Sequence, residues 1–116
     1  MIQWSSRVER LIRDGQVAVL YSPGHGAGWS TWCHQSATMR LSIMFDPQIA
    51  DIVDQRAADW QDKARAIALV KYPDAYLGGL EELEVRWLPV GTQFRVLEYD
   101  GFEHIETSGE IEWITA

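Results

Sequence analysis

The chemically equipped residues of this chain crowd into one short stretch, Gly24-His25-Gly26-Ala27-Gly28-Trp29-Ser30-Thr31-Trp32-Cys33-His34. Three of the nine glycines, two of the six tryptophans, two of the three histidines and the only cysteine fall there, so a catalytic or binding centre is expected at this stretch first. Cys33 beside a histidine would be a thiol nucleophile whose base raises the thiolate fraction. Adjacent residues rarely present both side chains to one substrate, so His25 is a better base than His34, and His25 and Cys33 are the catalytic candidates. The bland alternative is a buried, inert cysteine. Metal binding by His25, Cys33, His34 and His104 would need long-range convergence without any CxxC or HxxxH pair, so no metal and no cofactor is expected.

Two non-catalytic uses of the same residues compete. Glycines after a strand let backbone N–H groups approach an anion. Yet Gly24 to Gly28 is not GxGxxG, lacks the GK[ST] ending of a P-loop, and no Lys or Arg occurs between Arg13 and Arg40. A better fit is a flat, nucleotide-like or small polar ligand stacked on Trp29 or Trp32, its polar edge held by backbone donors. Tyr21, Gly24, His25, Gly26, Gly28, Trp29, Ser30 and Trp32 are the ligand-binding candidates. The competing reading is architectural: the chain turns sharply beside a sheet, and the two tryptophans cover the end of the core. No acid lies between Asp14 and Asp46, so no carboxylate close in sequence orients a histidine.

The elements that must position this loop follow from pattern. Ser6 to Glu9 fits a capping box, and Val8, Leu11 and Ile12 form a stripe, which predicts a helix over 6–14 with Gly15 beyond its end. Val17-Ala18-Val19-Leu20-Tyr21 reads as a central strand, near 16–22, buried on both faces. Residues 35–44 are ambiguous, since Ala37, Met39, Leu41, Ile43 and Phe45 alternate as in a strand while Ala37, Leu41 and Met44 suit one helix face. Asp46-Pro47 starts a helix over 47–55, and another runs over 58–71 before Pro73. From Leu80 the period becomes two, and Asp100-Gly101 marks a two-residue hairpin. Strands over 83–88, 94–97, 97–99, 102–105 and 111–114 make an antiparallel meander. The expected fold is α+β: an antiparallel sheet of this meander plus the central strand, with three or four helices packed on one face.

Tyr21-Ser-Pro-Gly-His-Gly-Ala-Gly-Trp-Ser-Thr-Trp32, with Phe45-Asp-Pro47, Lys71-Tyr72, Tyr76-Leu-Gly-Gly79, Trp87-Leu-Pro-Val-Gly-Thr92 and Glu98-Tyr-Asp-Gly101, resembles a group of small proteins of tailed phages and prophages. The resemblance covers most of the chain. It implies a phage setting, transfers no catalytic residue, and favours helix over strand for 35–44.

Composition bounds the function. At 116 residues and 47% apolar content, one packed domain over 1–116 is expected. No apolar run reaches the ~20 residues that span a bilayer, and Met1 to Ser5 starts no signal peptide, so a cytoplasmic protein without membrane contact is expected. A lone cysteine agrees with a reducing compartment. Residues 1–80 balance eight acids with eight bases, whereas 81–116 carry nine acids against Arg86 and Arg95 alone, which accounts for the net charge of −7. Such a surface repels phosphate backbones and excludes direct nucleic-acid binding. It suits a basic protein partner, so the second functional reading is an acidic interaction module over 81–112, for example an inhibitor of a host defence or regulatory protein. A homodimer is compatible with so aromatic a small domain.

Overall fold

The computed structural model describes residues 8–24, 28–76, 78–110 and 114–116. Among these the elements run β1 (Ile12–Arg13), β2 (Gln16–Tyr21), α1 (Ala37–Phe45), α2 (Pro47–Gln55), α3 (Trp60–Lys71), β3 (Glu84–Pro89), β4 (Phe94–Tyr99) and β5 (Phe102–Thr107), with 3-10 turns at Ser30–Trp32 and Leu80–Glu82. The class is α+β with antiparallel sheets.

β2 is the middle strand of a three-stranded sheet, between β1 and β3. Val17, Ala18, Val19 and Leu20 are all buried, because both faces of the sheet are covered. Ala18 and Leu20, with Val85 and Trp87 opposite them on β3, pack against α2 and α3. Val17 and Val19, with Leu88, face the end of α1 and the β4–β5 hairpin through Met44, Phe45, Phe94, Val96 and Ile105. Alternation along one strand therefore feeds two separate cores.

Three expectations are corrected. No helix spans 8–14; the expected N-cap Ser6, with Arg7, lies outside the described residues, and Ile12–Arg13 is a strand paired with Gln16–Val17. The cause is Asp14-Gly15, whose φ values of 51° and 75° form the two-residue reversal that suits a twisted hairpin. A three-turn helix is marginal alone, and the hairpin adds the bond from Ala18 N to Leu11 O. The C-terminal third is not one meander either. β3 pairs with β2, and among the described residues β4 pairs only with β5, through the Asp100-Gly101 turn, in a second sheet. The apolar β2 needs a partner along its whole length and takes β3. Residues 111–113 of the expected last strand lie outside the described residues, and Ile114 belongs to no element.

Finally, the helices number fewer independent bodies than expected and do not all share one face. Residues 37–45 are helical, with Ser36 Oγ accepting from Met39 N at 3.0 Å. Asp46 ends α1 and caps α2, its Oδ1 accepting from Ile49 N at 3.0 Å with Pro47 at the first position, so α1 and α2 read as one helix bent at Asp46. With α3, that makes two helical bodies.

Arg13 ties the β1–β2 hairpin to α2 by pairing with Asp51 and, at 3.4 Å, with Asp54. The bond from Arg13, helped by Gln55, holds the Asp51 carboxyl below the usual range. Its stabilisation is complete above the ordinary carboxylate pKa, about 4, and is lost as pH falls through the lowered folded value. Because the pair is exposed, Arg13→Ala is expected to cost about 0.2–1 kcal/mol at pH 7, with the gap to wild type narrowing in acid. Urea midpoints at pH 7 and pH 3 check this; an undiminished gap at pH 3 would show that the ion pair is not the cause.

Candidate functional site

The loop after β2 is organised by a residue far away in sequence. Glu103 sits on β5 with its side chain facing inward, on the same face as Ile105, and is 1% exposed. Its Oε1 accepts from Ser22 N at 2.9 Å, and its Oε2 accepts from Trp29 N at 2.8 Å and Thr31 N at 3.0 Å and from the Thr31 hydroxyl. Its own backbone N–H donates to Ser22 O at 2.9 Å. One carboxylate thus fastens both ends of the glycine loop and joins the hairpin to the end of β2. The backbone donors that could have cradled an external anion hold an internal one.

The other predicted loop residues are placed as follows. Trp29 is 1% exposed and its indole N–H donates to Ile43 O at 3.1 Å, so both ring faces are in the core beneath α1. Ser30 is fully buried. Gly28 lies under the Trp32 ring, where a Cβ would stand 2.5 Å from Cδ1, and Gly24 lies against Glu82, where a Cβ would stand 2.2 Å from Cγ. Both glycines are needed for close approach. Trp32 is half-buried, with its ring 5.3 Å from that of Tyr76 and inclined by 38°, and so is the loop tryptophan that keeps some exposure. Tyr21 is half-buried, its hydroxyl donating to Glu84 at 3.4 Å; burial and then the Glu84 charge raise its pKa. His25 and Gly26 lie outside the described residues.

Of the two catalytic candidates, Cys33 is the one among the described residues. Cys33 is buried at 3% exposure, while its neighbour His34 is exposed, as is His104 on β5. Among the described residues no group of three His, Cys, Asp or Glu side chains is arranged to hold a metal. No described helix is long and apolar enough to cross a membrane.

Open space lies elsewhere. A cleft of about 820 Å³ runs between the Val17–Val19 face of the first sheet and β4. Its floor is Val17, Val19 and Leu88; one wall is Leu41, Met44 and Phe45, the other Phe94 and Val96, with the Pro89 to Gln93 turn at the rim. Arg10 and Arg95 supply its charge. A smaller cavity of about 300 Å³ adjoins Asp46, Lys71 and Tyr72. There Asp46 Oδ2 accepts from Lys71 at 3.1 Å and from the Tyr72 hydroxyl at 2.6 Å, and burial followed by the bond to Asp46 drives the Tyr72 pKa far upward.

No family model, curated protein or solved structure matches this chain. The site is therefore read from its geometry.

Sequence pattern points to the loud residues of the loop and misses Glu103, which fastens that loop, and Arg10, which lines the separate cleft. For Glu103 a signal existed: with Ile105 inward at period two, Glu103 must also point inward, and an acid there needs donors. Arg10 was lost because the segment was read as helix.

Glu103→Ala would leave three buried N–H groups unpartnered at roughly 1–3 kcal/mol each, an expected destabilisation of at least about 3 kcal/mol. Glu81→Ala, which removes an exposed pair with Arg65, should cost less than about 1 kcal/mol. Urea unfolding followed by tryptophan fluorescence compares them, and equal losses would mean that Glu103 does not hold the loop.

Proposed function

We propose that this protein binds a small molecule in the cleft between the first sheet and the β4–β5 hairpin, with the glycine–tryptophan loop as the fixture that seats the hairpin. The observation that carries the reading is the cleft: about 820 Å³, walled mainly by branched and aromatic side chains, with a few polar groups. That volume falls in the ~300–1,000 Å³ range of small-molecule sites. The resemblance to proteins of tailed phages and prophages supplies the setting, an accessory protein acting in a host cell. A nucleotide-like ligand stacked at the loop itself narrows in this setting to Trp32 and Tyr76, because Trp29 offers no open face.

A second reading keeps a specific observation of its own. Tyr99 is 81% exposed at the tip of the β4–β5 hairpin, between Glu98 and Asp100, both exposed. An aromatic flanked by acids suits a basic protein partner, with affinity that falls as salt rises. In that case Tyr99→Ala with Asp100→Lys abolishes binding and cleft substitutions do not.

The first reading is tested with Nile red, a neutral apolar dye. Saturable binding of one dye per chain is expected, weakened at least about tenfold by Val96→Trp, since one indole fills space that otherwise contributes about 1.5–3 kcal/mol of apolar burial. Circular dichroism establishes that the variant is folded. Equal binding to both proteins would sink the cleft as the site.

A further inference from the structure

Taking the cleft as the binding site, we propose that its ligand is an amphipathic anion, an apolar chain or ring system ending in one carboxylate, with Arg10 holding the head group. Acids outnumber bases 17 to 10 in the chain, yet among the described residues no Asp or Glu lines the cleft, and both charged residues that do line it are arginines. An acidic protein repels anions at long range, so a site for one must supply a local cation and keep carboxylates away.

The two arginines are not equivalent. Arg95 is already neutralised, with Nε and Nη2 donating to Glu106 Oε1 at 3.2 and 2.6 Å. Arg10 takes part in no ion pair among the described residues. Its guanidinium carbon stands 4.6 Å from the centre of the Phe45 ring, and Nη1 donates to Val8 O at 3.1 Å. Stacking on Phe45 and the bond to Val8 fix the plane of the fork. A guanidinium has five N–H donors, so several remain for a carboxylate, which it meets in two parallel bonds. Leu41, Phe94 and Val96, half-buried, and the exposed Ile12 and Val90 offer the rest of the ligand apolar surface. A neutral ligand would gain nothing from the Arg10 charge, and a cationic ligand would meet Arg10 with no acid among the described lining residues to offset it.

The test compares decanoate, decanol and decyltrimethylammonium by isothermal titration calorimetry at pH 7, each below its micellar concentration. Expected is the order decanoate, decanol, decyltrimethylammonium, with decanoate weakened at least about tenfold in Arg10→Gln. Arg65→Gln, which breaks an exposed pair with Glu81 away from the cleft, should leave decanoate within about twofold. Arg10→Lys keeps the charge and should keep decanoate ahead of decanol, which covers the case in which Arg10→Gln does not fold. Decanol binding as tightly as decanoate, or Arg65→Gln matching Arg10→Gln, would overturn the anion assignment while leaving the cleft as the site. No binding of any of the three, together with no binding of Nile red, would overturn the cleft itself.

Discussion

A single buried carboxylate sets the arrangement of this molecule. Glu103 is cut off from water, and a charge so placed persists only where donors surround it. The loop from Ser22 to Thr31 supplies them, which requires the chain to curl so that N–H groups of residues well separated in sequence point at one spot. That requirement accounts for much of the local composition. Gly24 and Gly28 allow the close approaches, Thr31 adds a hydroxyl donor, and Trp29 plugs the space behind the curl with its indole tied to α1. The dependence also runs the other way. Without the loop as a donor shell, β5 would have to turn its acid outward, and the register that buries Ile105 would fail.

The same device recurs on the other side of the first sheet's core. Asp46 is buried, caps α2 with one oxygen and takes Lys71 and Tyr72 on the other, which ties the bend between α1 and α2 to the end of α3. Each buried acid joins segments that hydrophobic contact alone would allow to slide. Glu103 sets the hairpin against the end of β2, and Arg86 supports it by donating to Ile105 O at 2.9 Å and pairing with Glu110. The hairpin is thereby held over the Val17–Val19 face at one end, and the cleft lies towards the other, where the Pro89 to Gln93 turn separates β3 from β4.

What was legible in the sequence divides along physical lines. The central strand, the Asp46-Pro47 helix start, the helix before Pro73 and the Asp100-Gly101 turn all rest on local chemistry, and all are present. The same Asp-Gly signal stood at 14–15, but an amphipathic stripe and a capping pattern outweighed it, and Gly15 was assigned to a helix end. Residues 37–45 fit both periods, and the Ser36 cap together with burial of the consecutive Ile43, Met44 and Phe45 against the two cores resolves them as helix. Which strands pair was not legible, because β3 and β4 are equally apolar and only the three-dimensional demand of β2 chooses between them. The role of Glu103 was hidden for the same reason: its donors lie more than seventy residues away.

The division of labour between loop and cleft follows from what each type of residue can do once buried. Glycine, threonine and tryptophan next to a carboxylate form a dense, extensively hydrogen-bonded unit, in which the buried Ser30 hydroxyl lacks a partner among the described residues, and such a unit resists rearrangement. Binding a ligand there would mean displacing bonds already made to Glu103. The cleft has the opposite character. Valine, leucine and methionine side chains make no bonds that a ligand must break, and an arginine stacked on an aromatic ring keeps donors in reserve. The energetic cost of occupying a site is lowest where the protein's own polar groups are few and incompletely used. At the described part of the glycine loop that condition fails, because Gly24, Gly28, Trp29 and Thr31 are committed to holding Glu103 and the fold.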